Sequence, residues 1–282
     1  MSFTPHAAAG ALLPLAFAAR QRSAAGALLA GGAGAALGAA VLARSGRRSQ
    51  PAAGGTRVRV ATVSLRRGLV QAGPVLDLVR DHDVDVLAVQ ELTPRAEEAL
   101  LAAGLEKLLP AASVVPARPG SPLAASGAVW TRLELGERTV TPGGFEQPTV
   151  RLTAGCGTRF ELTSVHTLPP ATSPAAVRGW TADLAALPYP EPEVLRVLAG
   201  DFNATLDHAA FRAVLRRGYT DAARAAGRAL DWTWRPLHLR FPRLTLDHVL
   251  VDPRIAIAGV QLAEVQGSDH RAVVAELVLP AP

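Results

Sequence analysis

Cysteine is almost missing from this chain: Cys156 is the only one. No intramolecular disulfide can form and no cysteine cluster can hold zinc, and a lone cysteine is most often a small buried apolar residue. Lysine is equally scarce, Lys107 standing alone, so arginine carries nearly all the positive charge. Acid is absent from the first fifty residues, where Arg20, Arg22, Arg44, Arg47 and Arg48 account for the whole formal charge of +5. From residue 51 onward 24 acids face 24 bases. The body is therefore neutral, which argues against broad binding of a phosphate backbone by bulk charge.

What remains suits one large domain with a short appendage. The 282 residues are 49 % hydrophobic, with 25 glycines and 22 prolines to turn the chain, and they are too apolar to be disordered throughout. Residues 1–46 read as an apolar leader. Residues 7–19 are too short to span a bilayer comfortably, whereas the uncharged run 24–43 has the length of a spanning helix and arginines on both flanks. Gly34 and Gly38 form a small-xxx-small pair suited to close helix packing. Length and flanks favour membrane insertion through residues 24–43; a cleaved signal sequence or a flexible leader shares the composition. If Arg20 and Arg22 mark the cytoplasmic side, the body lies outside the cytoplasm. Residues 47–56 read as a linker, and residues 57–282 as one catalytic domain.

Within the body, strand-like runs alternate with helical ones. Residues 57–63 alternate as a strand, 74–83 have helical spacing, and 84–90 form a buried strand. Thr93 and Pro94 open a helix that Gly104 can stop, and Ser173–Pro174 open another. Residues 127–135, 159–165, 194–200, 244–251 and 272–279 read as strands, and 207–217 as a helix. The pattern is α/β, a class in which sites collect at strand ends.

Several of these strands end abruptly in polar residues: Glu91, His166, Asp201 with Asn203, Asp247, and Asp269 with His270. In an extended segment Asp201 and Asn203 point the same way. Singly, each residue has an ordinary structural role as a turn former, a solvated acid or a satisfied core histidine. If they converge, four carboxylates share one pocket, and two charges about 4 Å apart repel by roughly 4 kcal/mol at an effective dielectric of 20. A hard divalent cation resolves that repulsion, and oxygen ligands favour Mg²⁺ or Mn²⁺ over zinc. Oxygen-bound metal beside histidine suits hydrolysis of a phosphate ester.

The segments VDVLAVQE, SVHTLPP, LAGDFNAT, LDHVLV and GSDH, in this order, resemble the endonuclease/exonuclease/phosphatase superfamily, over about residues 57–280. SGAVWTR (126–132) is similar more loosely. The resemblance implies a four-layer sandwich of two face-to-face mixed β-sheets flanked by helices, preceded here by the N-terminal apolar helical segment. It implies Glu91 as principal metal ligand with help from Asp269, and Asp201 orienting or deprotonating the attacking water. Asn203 would hold phosphate and water, His166 and His270 would flank the phosphate, and Asp247 would fix the His270 tautomer. The substrate implied is a phosphate ester, most simply a phosphodiester, carried by nucleic acid, a nucleotide or a phospholipid head group.

One departure stands out. The superfamily's asparagine near the end of the first strand is Ser64 here, a weak metal ligand at best, which keeps a hydroxyl but loses the reach of an amide. Ser64 is also the support for an alternative: a phosphate- and metal-binding module that has lost turnover. Trp232 and Trp234 read as core and rim packing, His248 as structural, and His208 as solvated. His82 and His238 carry no motif.

Overall fold

The computed structural model describes residues 4–44, 54–155, 157–170 and 173–282. Cys156, Arg47, Arg48 and most of the expected linker lie outside the described residues. Three helices come first: α1 (Thr4–Gly10), α2 (Leu12–Arg20) and α3 (Ala24–Arg44). The first two fold back along α3, with Gly26 facing Ala18 and Gly34 facing Ala11, while Gly38 meets nothing within 4 Å. Leu12, Leu13, Phe17, Leu28 and Leu29 are left exposed. Residues Ala24–Ala43 of α3 are long and apolar enough to cross a membrane, and none of that stretch is buried.

Among the described residues the body supplies twelve strands and six α-helices. In chain order these are β1 (Thr56–Ser64), α4 (Ala72–Asp81), β2 (Val86–Leu92), α5 (Pro94–Ala102), α6 (Leu105–Leu108), β3 (Ala111–Val115), β4 (Ser126–Thr131), β5 (Glu134–Thr141), β6 (Gln147–Thr153), β7 (Arg159–His166), α7 (Pro174–Ala186), β8 (Leu195–Asp201), α8 (Ala209–Leu215), β9 (Thr220–Asp221), α9 (Ala222–Ala225), β10 (Asp247–Val251), β11 (Ala256–Glu264) and β12 (Arg271–Leu279). They form two six-stranded mixed sheets, ordered β11-β12-β1-β2-β4-β3 and β5-β6-β7-β8-β10-β9. In each sheet one central pair is parallel, β1 with β2 and β7 with β8.

Period-two patterning decides the layers. Val58, Val60, Val86, Ala88, Val273 and Ala275 of the first sheet meet Val150, Leu162, Val197, Ala199 and Val249 of the second in one inter-sheet core. The alternate residues, such as Ala61, Val63, Leu87 and Val89, pack under α4 and α5. Val165, Leu198 and Leu250 pack under α7 and α8 with Trp180 and Phe211. The result is helix, sheet, sheet, helix: the four-layer α/β sandwich expected from the sequence.

The caps form where the sequence placed them. Thr93 Oγ1 accepts from the Ala96 N–H and Ser173 Oγ from the Ala176 N–H, each with proline in the first helical turn. The run 127–135 is not one strand but two. It breaks at Arg132–Leu133, leaving β4 in the first sheet and β5 in the second. The Arg132 N–H and the Thr131 hydroxyl both donate to the Asp85 carbonyl, ending the ladder there.

Candidate active site

The core patterning that builds the sandwich also aims the polar residues. His166 ends an inward-facing series begun by Phe160 and Leu162, and Asp201 ends one containing Val197 and Ala199. Asp247 opens one continued by Val249 and Val251. Register then aligns all three: Asp201 is paired with His166 across the parallel β7–β8 ladder and with Asp247 across the antiparallel β8–β10 ladder. Each faces the gap between the sheets where the apolar core stops. Beneath them a polar rung joins the sheets, Thr62 Oγ1 donating to Gln90 Oε1 and Gln90 Nε2 to Ser164 Oγ, both at 2.9 Å.

Alternation alone would send Glu91 outward, toward α4 and α5. A bulge between Val89 and Leu92 and a left-handed backbone at Glu91 (φ 56°) swing it to the cleft instead. Its Oε2 accepts from the Arg67 N–H, presented by a left-handed run of Arg66, Arg67 and Gly68. Contrary to the expectation from strand alternation, Asn203 does not share the extended backbone of Asp201. Strand β8 stops at Asp201, and a left-handed turn (φ 47°) places Asn203 on the cleft wall by another route. Its N–H caps Asp201 Oδ1 at 2.8 Å and its amide nitrogen donates to the Thr167 carbonyl at 2.9 Å.

Glu91, His166, Asp201, Asn203, Asp269 and His270 all line one cleft of about 720 Å³, with Arg66, Arg67, Phe145 and Trp234. Asp247 lies beneath the wall, with its Oδ2 2.8 Å from His270 Nδ1. Ligand atoms of Asp201, Asp247 and His270 lie within 4.8 Å of one another. Ser64 does not reach the cleft. Its side chain is fully buried, its Oγ has no hydrogen-bond partner among the described residues, and its carbonyl accepts from Ser268 Oγ at 2.8 Å.

The electrostatics follow from burial and crowding. Burial, then the charge of Asp247, pushes the Asp201 carboxyl up to about 7 against the pull of His270 and the Asn203 N–H. Glu91 is also raised, chiefly by burial. Burial opposes a charge on His270, yet the charge and hydrogen bond of Asp247, with Asp201 and Asp269 behind them, hold its pKa up to about 10. His166 goes the other way: burial, then the positive His270, pulls it down to about 3. Its Nδ1 is buried without a hydrogen-bond partner among the described residues, and the Phe145 ring lies 4.4 Å from its ring, centroid to centroid.

The donor set fits a hard divalent cation. Among the described residues, the only salt-bridge partner of Glu91, Asp201, Asp247 and Asp269 is His270. Four carboxylates outnumber the imidazolium and the two guanidiniums of Arg66 and Arg67 on the cleft wall, and every donor but the imidazole is oxygen.

Some supporting residues carried no readable signal. Thr233 Oγ1 accepts from the N–H groups of Leu246 and Asp247, fixing the start of β10. Trp234 Nε1 donates to Asp269 Oδ2 at 3.1 Å, and Gln147 Oε1 accepts from the His166 N–H. His248 is structural, held between Asp221 Oδ2 (2.6 Å) and the Ala204 carbonyl (2.9 Å). His208 is not solvated as its sequence setting suggested. It precedes the first turn of α8 without a side-chain capping bond, accepts from the Thr205 N–H and packs against Trp180, and burial pulls its pKa down to about 4.

Two face-to-face mixed sheets, with acids and histidines gathered at their strand ends, define a phosphoesterase of the four-layer sandwich class. The chain belongs to the Endonuclease/Exonuclease/phosphatase family, whose sequence model matches residues 62–270. Among solved structures it is similar to the endonuclease/exonuclease/phosphatase from Beutenbergia cavernae DSM 12333, at 20 % identity and TM-score 0.62, over 80 % of this chain and 72 % of that one. It is also similar to D. rerio TDP2 complexed with single strand DNA product (14 %, TM-score 0.61, 79 % and 99 %). The human Nocturnin catalytic domain with bound sulfate is a third (16 %, TM-score 0.59, 79 % and 95 %). At these identities the likeness shows the shared fold. No curated protein matches the chain in sequence.

Proposed function

We propose that this protein hydrolyses phosphodiesters with the help of Mg²⁺ or Mn²⁺, held by Glu91 and Asp269 with the Asp201–Asp247 carboxylates close by. The observation that carries the reading is the register-aligned row His166, Asp201, Asp247, with His270 hydrogen-bonded to Asp247, opening into one cleft with Glu91. A bound divalent cation supplies charge neutralisation and polarisation of a phosphoryl oxygen. The chain's own groups do the rest. Asp247 keeps His270 protonated and oriented, so that Nε2 donates to a phosphate oxygen. Asp201, with a pKa of about 7, is matched to accept a proton from water near neutral pH. Asn203 orients that water, and neutral His166 adds a further hydrogen bond.

The test is turnover of bis(p-nitrophenyl) phosphate by the full chain. A chelator should stop it, Mg²⁺ or Mn²⁺ should restore it, and Asp201→Ala or His270→Ala should each cost about 10²- to 10⁴-fold in rate. Turnover close to wild type in both variants would end the reading. The unpartnered Ser64 hydroxyl favours a second reading, a module that binds metal and phosphate without turnover. A wild type that binds both yet is inactive until Ser64→Asn is introduced would establish it.

A further inference from the structure

Trp234 forms antiparallel bridges both to Leu244 and to His270. The nine residues between Trp234 and Leu244, RPLHLRFPR (235–243), therefore leave the body beside the cleft and return to the same place. The Arg235 N–H donates to the Asp269 carbonyl at 3.1 Å, tying the loop's first residue to the site. The loop contains no acid, and its arginines, Arg235, Arg240 and Arg243, take part in none of the salt bridges among the described residues. At its tip Leu239 is 57 % and Phe241 62 % exposed.

The rest of the rim matches. Leu69, 64 % exposed, lines the cleft next to Arg66 and Arg67. Leu123, 65 % exposed, sits between the cleft-lining Pro122 and Ala124. Among the described residues of the body six large apolar side chains are more than half exposed; Leu69 and Leu123 are at the cleft, and Leu239 and Phe241 are on the loop whose foot, Trp234, lines it. Scattered exposed leucines need no explanation, but leucine and phenylalanine on a cleft wall and on an arginine-bearing loop beside it do.

Resting on the phosphoesterase reading, we propose that loop 235–243, with Leu69 and Leu123, seats the cleft on an anionic bilayer, and that the substrate is a phosphodiester in a lipid head group. A bilayer takes both halves of this surface: apolar tips enter the acyl boundary while arginines meet the head-group phosphates. Trp232, at the foot of the loop with the Arg271 guanidinium 3.6 Å over its ring, is an amphipathic ring of the kind that settles at such an interface. Single-stranded nucleic acid would use the arginines and Phe241 but leaves three rim leucines without a role, and it stacks on aromatics rather than on aliphatic tips. Helix α3, long and apolar enough to cross a membrane, lies in the same chain.

The experiment uses the full chain, Cys156→Ser, reconstituted in vesicles of phosphatidylcholine with phosphatidylserine and carrying an environment-sensitive fluorophore at Leu239→Cys. A second preparation carries it at Glu193→Cys, before the start of β8 and so at the opposite end of that strand from Asp201. Acyl-chain quenchers should quench the label at 239 and not at 193, and Arg240→Ala with Arg243→Ala should diminish the effect. Equal quenching at both positions overturns the proposal, as does a 239 label that responds to single-stranded DNA and not to lipid quenchers. In parallel, Leu239→Ser with Phe241→Ser should keep turnover of soluble bis(p-nitrophenyl) phosphate and lose about tenfold on vesicle-borne phosphodiester. Equal loss on both substrates, or on neither, overturns the docking role. Site-selective quenching in a protein that cleaves neither ester leaves the docking surface standing and removes the phosphoesterase reading instead.

Discussion

At the scale of the residue, His270 and His166 are the same side chain put to opposite uses by their neighbours. Both are buried, and burial alone discharges an imidazole. Asp247 at 2.8 Å reverses that for His270, whereas among the described residues no acid is hydrogen-bonded to the His166 Nδ1 and the positive His270 is nearby. In the proposed mechanism Asp247 acts as a positioning residue, and its charge can be tested apart from its shape. Asp247→Asn should let burial draw the His270 pKa downward, so the alkaline limb of the pH–rate profile should move from near 10 toward neutrality. An unmoved limb would assign Asp247 a purely structural role. The same pair stabilises the fold in a predictable window. Because the folded pKa is raised, the contribution is complete below the ordinary histidine pKa of about 6.5 and is lost as pH rises through about 10. Glu91 and Ser64 show why single residues are hard to read. Glu91 needs a bulge and a left-handed backbone that no alternation pattern announces, and the setting of Ser64 depends on which strands bury its hydroxyl.

At the scale of the element, strands were legible by alternation in β1 and as short apolar runs in β2, β8 and β12, where both faces are packed. The helix caps at Thr93 and Ser173 were legible because capping chemistry is local. Two features were not. The break at Arg132–Leu133 sends one apolar run into two sheets, and it depends on a carbonyl, that of Asp85, supplied from 46 residues away. Loop 235–243 had no periodicity to reveal it, and its place beside the cleft comes from bridges at Trp234 that only the fold creates. The close approach of β7 and β8 is likewise a tertiary demand. A Cβ at Gly200 would lie 1.9 Å from the Val165 carbonyl oxygen. Gly200→Ala should therefore part the two strands next to Asp201, costing about 2 kcal/mol or more in stability and most of the turnover. Unchanged thermal unfolding in that variant would show that the ladder can shift without penalty.

For the whole molecule, direction matters as much as fold. Ser64, at one end of β1, lies beside the cleft loops through Ser268, whereas Thr56, where the chain arrives from the leader, is at the other end. The cleft and the start of β1 are thus separated by a nine-residue strand, a length of about 30 Å. Residues 45–55 joining α3 to β1 can reach at most about 38 Å. That span exceeds the length of β1. If α3 is anchored, a connection of this many residues is long enough for the cleft to meet the lipid. Deleting half of residues 45–55 should then leave soluble phosphodiester turnover intact while silencing the ester embedded in the same vesicle. Full activity on both after the deletion would mean that the mouth is fed from solution, or from a neighbouring membrane, and that the anchor does no more than hold the enzyme nearby.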